Sequence, residues 1–99
     1  MIKVEVTKDN VSIYGHAMYD DYGKDIVCAA VSSIVMTSVE SIAAIDEKSV
    51  DVEKSNDMLS ITISKHDTIT DKLLNTMINL LKEVEKKYPK NIKITNKEE

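Results

Sequence analysis

Residues 2–8 alternate in polarity, with Ile2, Val4 and Val6 on one face and Lys3, Glu5 and Thr7 on the other. A period of two marks a strand with one face buried. The alternation resumes over residues 11–16 through Val11 and Ile13, and the Asp9-Asn10 pair between the runs suits a tight hairpin turn. In the second run Gly15 continues the apolar face without a side chain, while His16 shares parity with Ser12 and Tyr14. A glycine beside a histidine at a strand end lets another segment approach the backbone closely.

The period then changes. After the polar stretch 17–24, Asp25 stands directly before a long apolar-leaning run, where a short carboxylate can accept from the free amides of a first helical turn. The run predicts a helix from 26 to about 44 or 45, with Cys28 as its third residue. Its β-branched content is high for a helix, so burial has to decide its state. Strands follow over about 50–54 (Val50 and Val52 inward) and 58–64 (Leu59, Ile61 and Ile63 inward), joined by Ser55-Asn56-Asp57. Thr68-Ile69-Thr70-Asp71 offers a weak capping box for a second helix, whose stripe of Leu73, Leu74, Met77, Leu80, Leu81, Val84 and Tyr88 has helical spacing. Pro89 ends that helix, Ile92 and Ile94 mark a last short strand, and the tail from Asn96 to Glu99 is expected to fray. The order strand-strand-helix-strand-strand-helix-strand predicts an α+β fold with two helices packed on one face of a mostly antiparallel sheet.

Length and composition narrow the picture. With 99 residues the chain forms one domain, 1–99, and with no Phe or Trp its core rests on Ile, Val, Leu and Met. The net charge of −4 argues against direct nucleic-acid binding. All 13 basic residues are Lys, so there is no guanidinium fork for phosphate or guanine. A single cysteine excludes an internal disulfide, and the first residues alternate instead of forming an apolar signal core, which together point to a reducing, cytoplasmic setting. The 26–45 run is broken by Ser32, Ser33, Thr37, Ser38, Glu40 and Ser41, which makes it a poor membrane span.

The candidate chemistry lies in one stretch. Cys28 sits near a helix N-terminus, whose dipole and unpaired amides favour a thiolate, and His16 can serve as its base across a polar loop; read alone, however, Cys28 is more often a small core residue beside Ala29 and Ala30, and His16 a solvated strand-end histidine. Asp25 cuts both ways, because a capping carboxylate disfavours a nearby thiolate unless it pairs with His16 instead. His66, in Lys65-His66-Asp67, has no cysteine in its segment and reads as a surface residue. Asp20, Asp21 and Asp57 are not spaced as a metal loop, and one Cys with two scattered His falls short of a zinc pattern, so neither metal nor cofactor is expected.

Gly15-His16-Ala17 and Asp25-Ile26-Val27-Cys28-Ala29-Ala30-Val31-Ser32 resemble the ribosomal-processing cysteine proteases of bacteria, and the element order is similar along essentially the whole chain. The resemblance implies a dimeric cysteine endopeptidase that removes a short N-terminal extension from the twenty-seventh large-subunit ribosomal protein, extensions that in the family end in aromatic residues followed by a small one. It carries over Cys28 as nucleophile and His16 as base, with Gly15, Asp25 and Ser32 as further motif positions. It also implies a mobile loop, here Ala17-Met18-Tyr19-Asp20-Asp21-Tyr22-Gly23-Lys24, with Gly23 as the natural hinge. Backbone amides at the start of the 26–45 helix would then stabilise the oxyanion. No Asn or Asp follows in a recognisable third-member signature, which leaves a Cys/His dyad. The alternative is a non-catalytic ribosome-assembly binding module in which Cys28 is merely packed.

Overall fold

In the computed structural model the described residues are 1–21 and 24–97. They form β1 (Ile2–Val6), β2 (Asn10–Tyr14), α1 (Ile26–Ile45), β3 (Val50–Lys54), β4 (Met58–Ile63), α2 (Thr68–Lys87) and β5 (Ile92–Asn96), in the expected order. The five strands make one sheet in the order β3-β4-β2-β1-β5. Every neighbouring pair is antiparallel except β1 and β5, which run parallel with Val4 opposite Ile94. Both helices lie on one face of this α+β sheet and touch each other.

The core explains why a β-branched sequence is helical at α1. Val27, Val31, Val35, Val39 and Ile42 recur every three or four residues and are all buried, so they form one stripe over the sheet. Each costs at most roughly 0.7 kcal/mol of helix propensity, whereas burying such a side chain returns about 1.5–3 kcal/mol. Burial therefore wins. By length and composition alone α1 could cross a bilayer, contrary to the sequence expectation, because hydroxyl residues interrupt hydropathy only weakly; in the fold its valine stripe is spent on the sheet. From α2, Leu74, Met77 and Leu81 enter the same core, opposite Ile2, Val4, Val11, Ile61 and Ile92.

Several local expectations shift. The first turn stays tight but sits one residue earlier than Asp9-Asn10: Thr7 N–H donates to Asn10 O at 2.8 Å, which leaves Lys8-Asp9 at the tip, and Asn10, already in β2, donates through its side chain to Ser60 Oγ at 2.9 Å and Thr62 Oγ1 at 3.3 Å across the β2–β4 pair. Val52 shares a face with Val50 but is 36% exposed, because it lies on an edge strand beyond the cover of the helices. The α2 cap is Asp67, one residue earlier than the Thr68 box, with its carboxylate accepting from Thr70 N–H at 2.8 Å. Leu80 is 46% exposed, while Ile78 packs on the core in its place. At the C-terminal end Asn96 and Lys97 are held, since Asn96 of β5 pairs with Val6 of β1 and Lys97 N–H donates to Val6 O at 2.7 Å. Glu98 and Glu99 lie outside the described residues.

Candidate active site

The site begins where β2 stops. Gly15 has φ +89°, and a Cβ added there would lie 2.4 Å from the Met1 carbonyl oxygen. Only glycine fits both the dihedral and the gap. This turn takes His16 out of the strand that the alternation predicted and leaves its side chain 65% exposed at the mouth of an open groove of about 710 Å³. Cys28, half-buried in the first turn of α1, lines the same groove, as does Ser32 one turn further along. Apolar Ile13, Val31 and Leu59 contribute to its walls.

Ala17 joins the two halves of the site. It is 1% exposed, its N–H donates to Cys28 Sγ at 3.4 Å, and its carbonyl accepts from Asn91 Nδ2 at 2.9 Å. The segment expected to be a mobile loop from its first residue is thus pinned there on both sides. Met18 follows with φ 57° and projects into solvent, and the Tyr19 ring meets Tyr88 edge-on at 5.3 Å. Asp20 accepts from the Asp21 N–H at 2.7 Å, and Lys24 N–H donates to Asp21 O at 2.9 Å. Tyr22 and the expected hinge Gly23 lie outside the described residues.

Asp25 links this segment to the helix. Its Oδ1 accepts from the amides of Val27 and Cys28, both at 3.0 Å, while Oδ2 accepts from Tyr19 N–H at 2.9 Å and Asp20 N–H at 3.3 Å. Desolvation pushes the carboxyl up, but the amides of Cys28, Tyr19, Asp20 and Val27 together outweigh it and hold the group below the usual carboxylate range. Both oxygens are therefore engaged as helix cap and loop clamp. One further expectation changes with it. The Val27 and Cys28 amides, candidates for an oxyanion hole, already donate to Asp25, and Ala29 N–H donates to the Asp25 carbonyl at 3.1 Å.

The carboxylate that does face the imidazole is Asp57, with Oδ1 3.7 Å from His16 Nε2. Its turn, between β3 and β4, is tied to the site by a hydrogen bond from Gly15 N–H to the Asp57 carbonyl at 3.3 Å. Sequence reasoning weighed Asp57 only as a metal ligand. No local signal connects it to His16, because antiparallel pairing of β2 with β4 is what sets Tyr14 beside Met58. His66 stands apart from the groove, as expected, yet it is not a free surface residue: Nε2 lies 2.7 Å from Asp9 Oδ1 and Nδ1 lies 2.9 Å from Asp71 Oδ1.

The family model for cysteine protease Prp matches residues 1–93. The chain belongs to this family. A ribosomal processing cysteine protease Prp from Staphylococcus aureus is 31% identical over 98% of this chain and the whole of its own length. A Prp from Mycoplasma genitalium is 44% identical over 39% of each chain. Among solved structures, the S. aureus ribosomal processing protease Prp with a covalently linked product peptide superposes with a TM-score of 0.91 at 28% identity, covering 98% of this chain and all of that one. The same protease with a substrate peptide superposes at a TM-score of 0.80 and 30% identity over the same coverage. Membership of the Prp family makes the chain a cysteine protease, and among the described residues Cys28 is its one thiol.

Proposed function

We propose that this protein is a cysteine endopeptidase that removes the short N-terminal extension of the twenty-seventh large-subunit ribosomal protein during ribosome assembly, using Cys28 as nucleophile and His16 as base. The observation that carries the reading is the groove that His16 and Cys28 line together, with the backbone of the residue after His16 bonded to the Cys28 sulfur. The ribosomal processing activity named for the S. aureus relatives supports the substrate class.

In the reaction, His16 takes the thiol proton and the Cys28 sulfur attacks the scissile carbonyl. The resulting tetrahedral adduct collapses as the C–N bond breaks, and His16 returns the proton to the leaving amine. Water, deprotonated by the same imidazole, then attacks the thioester; the C–S bond breaks, the carboxylate product leaves, and the proton returns from the imidazolium to the Cys28 sulfur. Asp57 steadies the imidazole from the solvent side. Met18 and Asp20, which line the groove, border the bound extension, and the apolar walls of the groove accept its side chains. The protein works in the cytoplasm and as a homodimer, the dimer being supported by exposed Ile26, Met36 and Ile45 on α1.

The test is cleavage of a peptide spanning the extension junction by wild type, Cys28→Ala, Cys28→Ser and His16→Ala. Wild type cleaves once at the junction, and each substitution lowers kcat by at least about a thousand-fold. Equal cleavage by wild type and Cys28→Ala would sink the reading. Binding by every form with cleavage by none would leave the assembly-module alternative.

A further inference from the structure

Asn91 lies far along the chain from His16 and Cys28, in the turn that follows α2, and its side-chain amide reaches the carbonyl of Ala17, the residue after His16. The turn is built for this. Tyr88 carbonyl accepts from Asn91 N–H at 2.9 Å, and Pro89 occupies the second position, where its fixed φ suits a β-turn. The Asn91 carbonyl accepts in turn from Ile2 N–H at 2.8 Å, so the turn is locked to the start of β1. From this base Asn91 Nδ2 donates to Ala17 O at 2.9 Å, and Ala17 N–H donates to Cys28 Sγ at 3.4 Å. Tyr88, the first residue of the same turn, meets the Tyr19 ring. Two side chains of one turn therefore hold two alternate residues of the segment that follows His16.

The geometry points to Asn91 as a positioning residue of the active site: by fixing the Ala17 residue it aims the Ala17 N–H at the Cys28 sulfur and stabilises the thiolate. The inference rests on Cys28 being the nucleophile. An N–H aimed at sulfur favours the charged form over the thiol, because a donor gains more from an anion than from a neutral acceptor. At the helix N-terminus the amides of Val27 and Cys28 serve Asp25, whose carboxylate opposes a neighbouring thiolate, whereas the Ala17 N–H is aimed at the sulfur itself. Ala17 N–H thus takes the role that the helix start had been expected to fill. No covalent step is added, for His16 still removes the proton and the sulfur still supplies the electron pair.

The experiment compares wild type, Asn91→Ala and Asn91→Asp. Asn91→Ala removes the donor, and Asn91→Asp keeps the shape while placing an acceptor against the Ala17 carbonyl. Two quantities are read on each: the pH profile of iodoacetamide alkylation at Cys28, and kcat and KM for junction-peptide cleavage. Both variants are expected to move the alkylation midpoint to higher pH and to lower kcat by about ten-fold, with KM changed by less than about two-fold. A wild-type midpoint and a wild-type kcat in Asn91→Ala would overturn the inference, as would a loss of kcat with an unmoved midpoint, the result of a merely structural role. Should Asn91→Ala fail to fold, Asn91→Asp carries the same two readings. Failure of the function is separable: wild type without cleavage refutes the protease substrate, whereas wild type that cleaves beside unaltered Asn91 variants refutes the positioning role alone.

Discussion

Gly15→Ala perturbs the point on which the site turns, and its cost has two sources that can be separated. A left-handed backbone costs an L side chain about 1–2 kcal/mol, and Gly15 stands at φ +89°. The new Cβ would also sit 2.4 Å from Met1 O, a backbone atom beside the Ile2 N–H that Asn91 O holds. Relief requires β1 to shift against β2, an overpacking penalty of about 1–3 kcal/mol. Together the loss is roughly 2–5 kcal/mol, a large part of the 5–15 kcal/mol typical of a whole domain. Urea unfolding followed by circular dichroism reads it directly. At a slope of about 1 kcal/mol per M for so small a domain, the midpoint should fall by roughly 2 M or more. Gly15→Asn separates the sources: asparagine tolerates positive φ better than alanine does but carries the same Cβ, so it recovers stability only if the dihedral dominates. A Gly15→Ala midpoint within about 0.3 M of wild type would refute the account of this turn.

Asp25→Ala removes an acceptor shared by four amides on the helix and the following-histidine segment, and it should speed hydrogen exchange at Tyr19, Asp20, Val27 and Cys28 together; unchanged protection at the two loop amides would contradict the clamp. Because the Asp25 carboxyl is held low, its contribution is present above its unfolded value near ~3.9 and disappears as pH falls through the lower folded value, so the gap in urea midpoint between wild type and Asp25→Asn should close on that acid side. Asp57→Asn should lower kcat/KM by no more than about five-fold, and less in high salt, because an exposed pair at 3.7 Å is weak; a loss above about a hundred-fold would make Asp57 a required catalytic member instead of a support. His66 is held protonated above its ordinary value by its hydrogen bond to Asp9 first and then by that to Asp71. Its stabilisation is therefore complete below about pH 6.5 and lost as pH rises through the raised folded value, so the advantage of wild type over His66→Gln in urea should shrink toward alkaline pH, and an advantage that grew there would be inconsistent with the bridge.

What was legible in the chain by itself was what repeats locally or bonds locally. The period-two runs located β1, β2, β3 and β4, the leucine and methionine stripe marked α2, and Asp25 before an apolar run marked a helix start that the amides of Val27 and Cys28 bear out. The family was also readable from Gly15-His16-Ala17 and the segment from Asp25 to Ser32, short motifs whose chemistry is carried within themselves. Gly15 was singled out for clearing space, although what occupies that space, the Met1 carbonyl, was not visible.

Only the tertiary structure could decide the partners of these residues. β5 pairs in parallel with β1, a choice that no property of Ile92 or Ile94 announces, and this pairing brings the Asn91 turn to Ala17 across 74 positions of sequence. Asp57 reaches His16 because β4 lies beside β2, and Asp25 faces the Tyr19 and Asp20 amides because Ala17 is drawn into the core. The physical reason is common to all three. A strand period, a cap or a glycine dihedral is a preference of a few neighbouring residues, whereas a contact between distant segments exists only once strand order and burial have brought the backbones together. The sequence marked Cys28 and His16 as candidates for one site, and both line one groove; the sheet decided which side chains stand beside them there.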